Sequence, residues 1–176
     1  MHAPISRHKT AISRTELSRP VKLALTDRIL REGRTFFDYG CGLGDDQRLL
    51  LAMGYSTGGW DPAHRPAGTI APANIVNLGF VVNVIESAIE RAEVVRRAWA
   101  LAQDVLIVSA RMTMDSQFLG ATQEFADGLL TSRGTFQKFF EQAELRAWID
   151  HTLSVRSVAA APGVFYVFRD DQVRSE

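Results

Sequence analysis

Thr35-Phe36-Phe37-Asp38-Tyr39-Gly40-Cys41-Gly42-Leu43-Gly44 is the stretch around which the other segments fall into order. Its first half is aromatic and apolar, as a buried strand requires, and the Asp45-Asp46 that follows is an acidic opening for a helix. Between them runs a loop with glycine at every second position. Glycines at that spacing allow positive φ and let a ligand approach where a Cβ would stand. Peptide N–H groups in such a turn and at a helix N-terminus favour anionic ligand groups. A dinucleotide fingerprint, G-x-G-x-x-G, needs glycine at 45, where Asp45 stands, and no Gly-Lys-Ser/Thr follows to make a P-loop. Taken alone, the glycines also suit an ordinary tight loop between strand and helix.

Asp38-x-Gly40-x-Gly42-x-Gly44 resembles the first motif of class I S-adenosylmethionine-dependent methyltransferases. The resemblance implies that Gly40, Gly42 and Gly44 admit the methionyl part of S-adenosyl-L-methionine and that Asp38 helps hold its amino end. It also implies an acidic residue at the end of the next strand, set against the ribose hydroxyls. Asp61 stands there, in Gly59-Trp60-Asp61-Pro62, with Pro62 beside it. Further on, Asn77-Leu78-Gly79-Phe80 and the run to Ile85 look like the fourth motif, which places Leu78, Gly79 and Phe80 at the sulfonium end.

Length and composition fit this reading. A chain of 176 residues buries a sizeable core without metal or disulfide, and its 46% hydrophobic and 23% charged content is that of a globular protein. The single cysteine, Cys41, excludes an internal disulfide and any CxxC metal knuckle, and suggests a reducing, cytoplasmic setting. His2, His8, His64 and His151 are too scattered for a ligand set. No apolar run is long enough to span a membrane. The net charge of zero divides unevenly. Residues 1–34 hold eight basic and three acidic side chains, so a basic arm and helix precede an acidic body, residues 35–176, within one domain.

Periodicity supplies the rest of the outline. Ser13 or Thr15 caps a helix running to Gly33, with Pro20 tolerated only near its first turn. Leu49, Leu50 and Met53 form a core-facing helix side, and residues 55–60 a second strand. Three prolines within residues 62–73 leave no room for the helix and third strand usual in the family, so an irregular crossover or very short strand is expected. Residues 74–80 and 104–111 read as buried strands around a helix at 88–102. A long loop at 112–131, a helix at 132–153 and a hairpin around Pro162-Gly163 complete the chain. The expected fold is α/β: a Rossmann-like class I methyltransferase sheet, mostly parallel, with a C-terminal antiparallel hairpin and the third strand short or absent.

Across the whole length, Arg7-His8-Lys9-Thr10-Ala11, Asn77-Leu78-Gly79-Phe80, 131–138 and Ala161-Pro162-Gly163-Val164-Phe165-Tyr166 are similar to the methyltransferases associated with DNA phosphorothioation gene clusters. Members of that group are longer, so the chain is read as a short form or an amino-terminal domain. In-line methyl transfer needs positioning and desolvation, with a base only where the acceptor must lose a proton. Asn83, Arg111, Arg133 and Tyr166 are the acceptor-side candidates. A small-molecule acceptor requires a closed apolar pocket under the N-terminal helix. A DNA acceptor requires an open cleft flanked by Arg7, Lys9, Arg14 and Arg133, and Asn77-Leu78-Gly79-Phe80 lacks both prolines of the DNA amino-methyltransferase turn. A domain that binds the cofactor without using it, and a nicotinamide enzyme that would bind NAD instead, are the remaining alternatives.

Overall fold

The structure, a computed structural model, describes residues 4–12 and 14–170. His2 and Ser13, both weighed above, lie outside them. Helix α1 spans Arg19–Thr26, β1 Phe36–Tyr39, α2 Asp45–Ala52, β2 Thr57–Trp60 and β3 Ala73–Gly79. Next come α3 at Ala88–Leu101, β4 at Ala102–Ser109, and strands β5 (Thr122–Phe125), β6 (Gly128–Thr131) and β7 (Phe136–Gln137). Helix α4 at Gln142–Leu153 leads to β8 (Val158–Ala161) and β9 (Val164–Phe168).

Six strands form the main sheet in the order β2-β1-β3-β4-β9-β8. Strands β1 to β4 pair in parallel, while β9 is antiparallel to both β4 and β8. Side chains alternate across a pleated strand, and each central strand here is apolar on both faces. Phe37, Val76, Leu78, Leu106, Val108 and Phe165 pack with Val95, Leu145 and Ile149 of α3 and α4. Their neighbours Phe36, Ile75, Val105, Ile107 and Val164 pack with Val21, Leu30 and Leu50 on the side of α1 and α2. Three layers result, with helices on both faces of a mostly parallel sheet. Among the described residues no strand lies between β2 and β3; only an isolated bridge, Asp61 with Arg65, occurs there.

Four expectations are corrected. Helix α1 begins only at Arg19, because Pro20 lacks the N–H that any later helical position needs, and it ends at Asp27, before Arg28 turns to φ 60°. Met53 is 56% exposed, so Leu50 is the buried member of its helix face. The long loop after β4 contains a hairpin that makes a second, three-stranded sheet, β5-β6-β7. Helix α4 starts ten residues later than periodicity suggests: Phe136 lies in β7, and Glu141 with Glu144 forms the capping box that starts the helix.

That hairpin is fastened by a buried charge. Arg91 of α3, 2% exposed, donates from Nη1 to Asp127 Oδ2 at 2.7 Å and from Nη2 to the Ile85 carbonyl at 2.7 Å. The Lys138 N–H adds a 2.7 Å bond to the Asn83 carbonyl. The second sheet therefore stands beside the exit of β3.

Candidate active site

Parallel strands β1, β2, β3 and β4 all end at one edge of the sheet, and the turns there line a partly enclosed cavity of about 580 Å³. Gly40 and Gly42 enter from the turn after β1, Asp61 and Pro62 from the end of β2, and Gly79 and Phe80 from the end of β3. Asn83 and Arg111 also line it. Such crevices, outside the carboxyl ends of strands, are where open α/β sheets bind ligands.

The glycine turn is held by what surrounds it. Gly40 has φ 83°, and a Cβ there would stand 2.6 Å from Val81 Cγ2, so both backbone shape and packing require glycine. Asp61 fixes the turn from the other side. Its Oδ2 accepts the Gly42 N–H at 2.9 Å, and its Oδ1 accepts the N–H groups of Ala63 and His64, each at 2.9 Å. A carboxylate offers about four acceptor sites, so one remains, on Oδ2, for an incoming hydroxyl. Phe80 adopts φ 56°, costly for a bulky side chain, and is kept there by N–H bonds to the carbonyl and Oγ of Ser109.

Asp38 lies beneath this floor rather than in it. It is 5% exposed and accepts a 3.2 Å bond from Asn77 Nδ2. Burial pushes its carboxyl up to about 8, the charge of Asp46 adds to the rise, and the Asn77 bond opposes it. Leu78 packs in the core, and Gly44 is covered by the Arg65 guanidinium, whose Nε would stand 2.5 Å from a Cβ at that position. Neither lines the cavity.

The N-terminal arm roofs the cavity. Arg7 makes a forked pair of bonds, from Nη2 to Glu86 Oε1 and to Glu90 Oε2, both at 2.7 Å. The Ser6 N–H reaches the Gly134 carbonyl at 2.8 Å, and His64 Nε2 lies 2.9 Å from the His8 carbonyl. Lower down, the Arg14 N–H donates to Asp45 Oδ2, and Ser18 donates through both N and Oγ to Asp46. The arm thus closes onto α3, the second sheet and α2 together.

The acceptor-side candidates divide. Asn83 is 1% exposed, and its Nδ2 donates to Gln137 Oε1 at 3.1 Å. Arg111 is exposed at the cavity wall. Arg133, by contrast, sits in the exposed turn after β6, away from the cavity. Tyr166 projects to the opposite face of β9, where its hydroxyl donates to Asp27 Oδ2 at 2.7 Å and burial raises its phenol. Sequence reasoning missed Tyr39 and Trp60, whose rings lie 5.3 Å apart on the cavity wall, as well as Arg19 and Gln137. Trp60 was legible from its place beside Asp61; Gln137 carried no signal until the hairpin was seen.

No protein-family model matches the sequence, and no curated protein matches it either. Solved structures do. The sugar N-methyltransferase KedS8 from Streptoalloteichus sp ATCC 53650 superposes with a TM-score of 0.61 at 14% identity, over 86% of this chain and 87% of that one. CalS10 from Micromonospora echinaspora, an amino pentose methyltransferase solved with SAM bound, gives 0.59 at 16% identity, over 94% and 92%. The chain has the Rossmann-like methyltransferase fold. The Burkholderia thailandensis 1,6-didemethyltoxoflavin-N1-methyltransferase, with S-adenosylhomocysteine bound, gives 0.58 at 14% identity, over 85% and 76%. Within this methyltransferase fold, the absent third strand leaves β2 at the sheet edge, where Gly68 packs so tightly that a Cβ on it would stand 2.3 Å from the Gly59 carbonyl oxygen.

Proposed function

We propose that the chain is an S-adenosyl-L-methionine-dependent methyltransferase acting on a small-molecule acceptor. One observation carries the reading: the glycine turn and Asp61 meet at the mouths of adjacent strands, with an acceptor site of the Asp61 carboxylate left over. The likeness to the methyltransferase structures supports it.

The residues present suit the cofactor. Asp61 orients a ribose hydroxyl; Gly40 and Gly42 allow close approach of the methionyl chain; Gly79 and Phe80 line the sulfonium end. Asp38, kept largely protonated by burial, ionises when a ligand ammonium comes near and then stabilises it from below the floor. When bound, S-adenosyl-L-methionine supplies an electrophilic methyl group on sulfur. The chain's part is to hold the nucleophile in line with it and to exclude water, which the arm does by roofing the cavity.

A cavity partly enclosed under a fastened arm suits a small acceptor better than a duplex. Asn77, the residue in place of the DNA amino-methyltransferase asparagine, has its amide turned to Asp38 inside the sheet layer and does not line the cavity. The kinship with phosphorothioation-associated methyltransferases rests on the sequence motifs alone. The test is calorimetric titration with S-adenosylhomocysteine, followed by incubation of labelled S-adenosylmethionine with small amines, phenols and an oligonucleotide. Heat on titration and label in a small product are expected. No heat removes the proposal; label only in the oligonucleotide replaces its acceptor, and label retained by the protein without transfer reduces it to a binding module.

A further inference from the structure

We infer that the acceptor carries an anionic group, a carboxylate or a phosphate, and that Arg19 and Arg111 hold it on either side of the Pro162-Gly163 turn. The inference rests on the methyltransferase reading above and names the class of its substrate.

The cations that line the cavity are not equivalent. Arg7 is consumed by Glu86 and Glu90, and Arg97 has Glu93 at 3.7 Å. Arg14 stands in the field of Asp38, at the cofactor end. Arg111 makes no hydrogen bond or ion pair through its guanidinium among the described residues. Arg19 uses one N–H, from Nη1 to the Pro162 carbonyl at 3.0 Å, which leaves most of its donor fork free. Among the described residues Asp115 is the one carboxylate that lines this end of the cavity, and its Oδ2 is already engaged by the Met112 N–H at 2.9 Å. After pairing, the acceptor end therefore keeps two guanidiniums against one carboxylate.

The platform between them is rigid. The Ala110 N–H donates to the Gly163 carbonyl at 3.0 Å, and the Gly163 N–H donates to Gln142 Oε1 at 2.8 Å. Gly163 has φ 74°, and a Cβ on it would stand 2.7 Å from the Ala110 carbonyl oxygen. Arg19 from the start of α1, through the Pro162 carbonyl, and the end of β4 just before Arg111, through Ala110 and Gly163, thus meet at one turn on the cavity wall. Guanidinium forks match the geometry of carboxylate and phosphate oxygens, and a partly enclosed wall strengthens their field. A neutral ligand can accept a hydrogen bond there but leaves both charges uncompensated.

The test uses the whole chain saturated with S-adenosylhomocysteine, whose own binding reports on the methyltransferase reading separately. Phenyl phosphate and benzoate are titrated against the neutral probes benzyl alcohol and benzamide, with parent protein, Arg19→Gln, Arg111→Gln and Arg111→Lys. At least one anionic probe is expected to bind about tenfold or more tightly than the neutral ones, in keeping with a charge-assisted bond. Each glutamine variant should lose that preference while binding S-adenosylhomocysteine as the parent does; Arg111→Lys should keep part of it. The stronger of the two anionic probes tells phosphate from carboxylate. Equal binding of charged and neutral probes, or anion binding unchanged in both glutamine variants, overturns the inference, as does a single-stranded oligonucleotide that outcompetes both anions.

Discussion

The Asp61 carboxylate accepts the Gly42 N–H at 2.9 Å, so the end of the second strand and the turn after the first are one unit. A ligand that touches either touches a preassembled pair. Asp61→Asn keeps the shape but places an N–H₂ against backbone donors and removes the charge. S-adenosylhomocysteine affinity should fall about tenfold or more in calorimetry. Asp61→Ala leaves three N–H groups without this acceptor and should also lower unfolding stability by about 1 to 3 kcal/mol.

Gly40 and Val81 make a second testable contact. Gly40→Ala adds a methyl 2.6 Å from Val81 Cγ2 at φ 83° and should cost about 1 to 3 kcal/mol in urea unfolding. Pairing it with Val81→Ala should recover the steric share and not the backbone share, which a double-mutant cycle separates.

Asp38 carries a pH signature. Its carboxyl titrates near 8 when folded and near its ordinary value of 3.8 when unfolded. Between those values the native state binds the extra proton, so this group's contribution to stability is fully present below about 4 and is lost as pH rises toward about 8. In Asp38→Asn that slope disappears. The difference in urea midpoint between variant and parent should therefore shift in favour of the variant from pH 5 to pH 8; an unchanged difference would contradict the burial argument.

The arm over the cavity depends on Arg7. Its pairs with Glu86 and Glu90 are partly solvent-screened, so together they contribute about 1 kcal/mol. The double variant Glu86→Gln, Glu90→Gln should leave the global melting temperature nearly unchanged yet speed tryptic cleavage in the arm, read by mass spectrometry.

Tyr166→Phe tests a placement. The hydroxyl bonds Asp27 on the far face of the sheet, so its loss should cost about 1 kcal/mol of stability and leave S-adenosylhomocysteine affinity at the parent value. A drop in affinity would return Tyr166 to the site.

Much of the architecture was readable before any coordinates. The segments read as strands at 35–39, 74–80 and 104–111 are rich in apolar residues because most of each strand is buried on both faces, and the glycine spacing after the first marks a turn that no other residue adopts so easily. The missing third strand followed from three prolines in residues 62–73. The second sheet was not readable: Thr122–Phe125 is short and mostly exposed, Gly128–Thr131 is short and half-buried, and their anchor, Arg91 to Asp127, joins residues 36 apart in sequence.

By itself the sequence determined the glycine turn, the irregular proline-rich crossover and the central strands, since glycine, proline and runs of apolar residues act on their own neighbours. It could not decide which polar side chains meet. Tyr166 and Arg111 both read as acceptor-side groups, yet the pleat of β9 sends Tyr166 to Asp27, while Arg111, beyond the end of β4, stands at the cavity wall. Asp38 sits one residue from the cavity and is buried beneath it, because alternate side chains of a strand point to opposite layers. Those outcomes depend on register and packing between distant segments, which only the tertiary structure fixes.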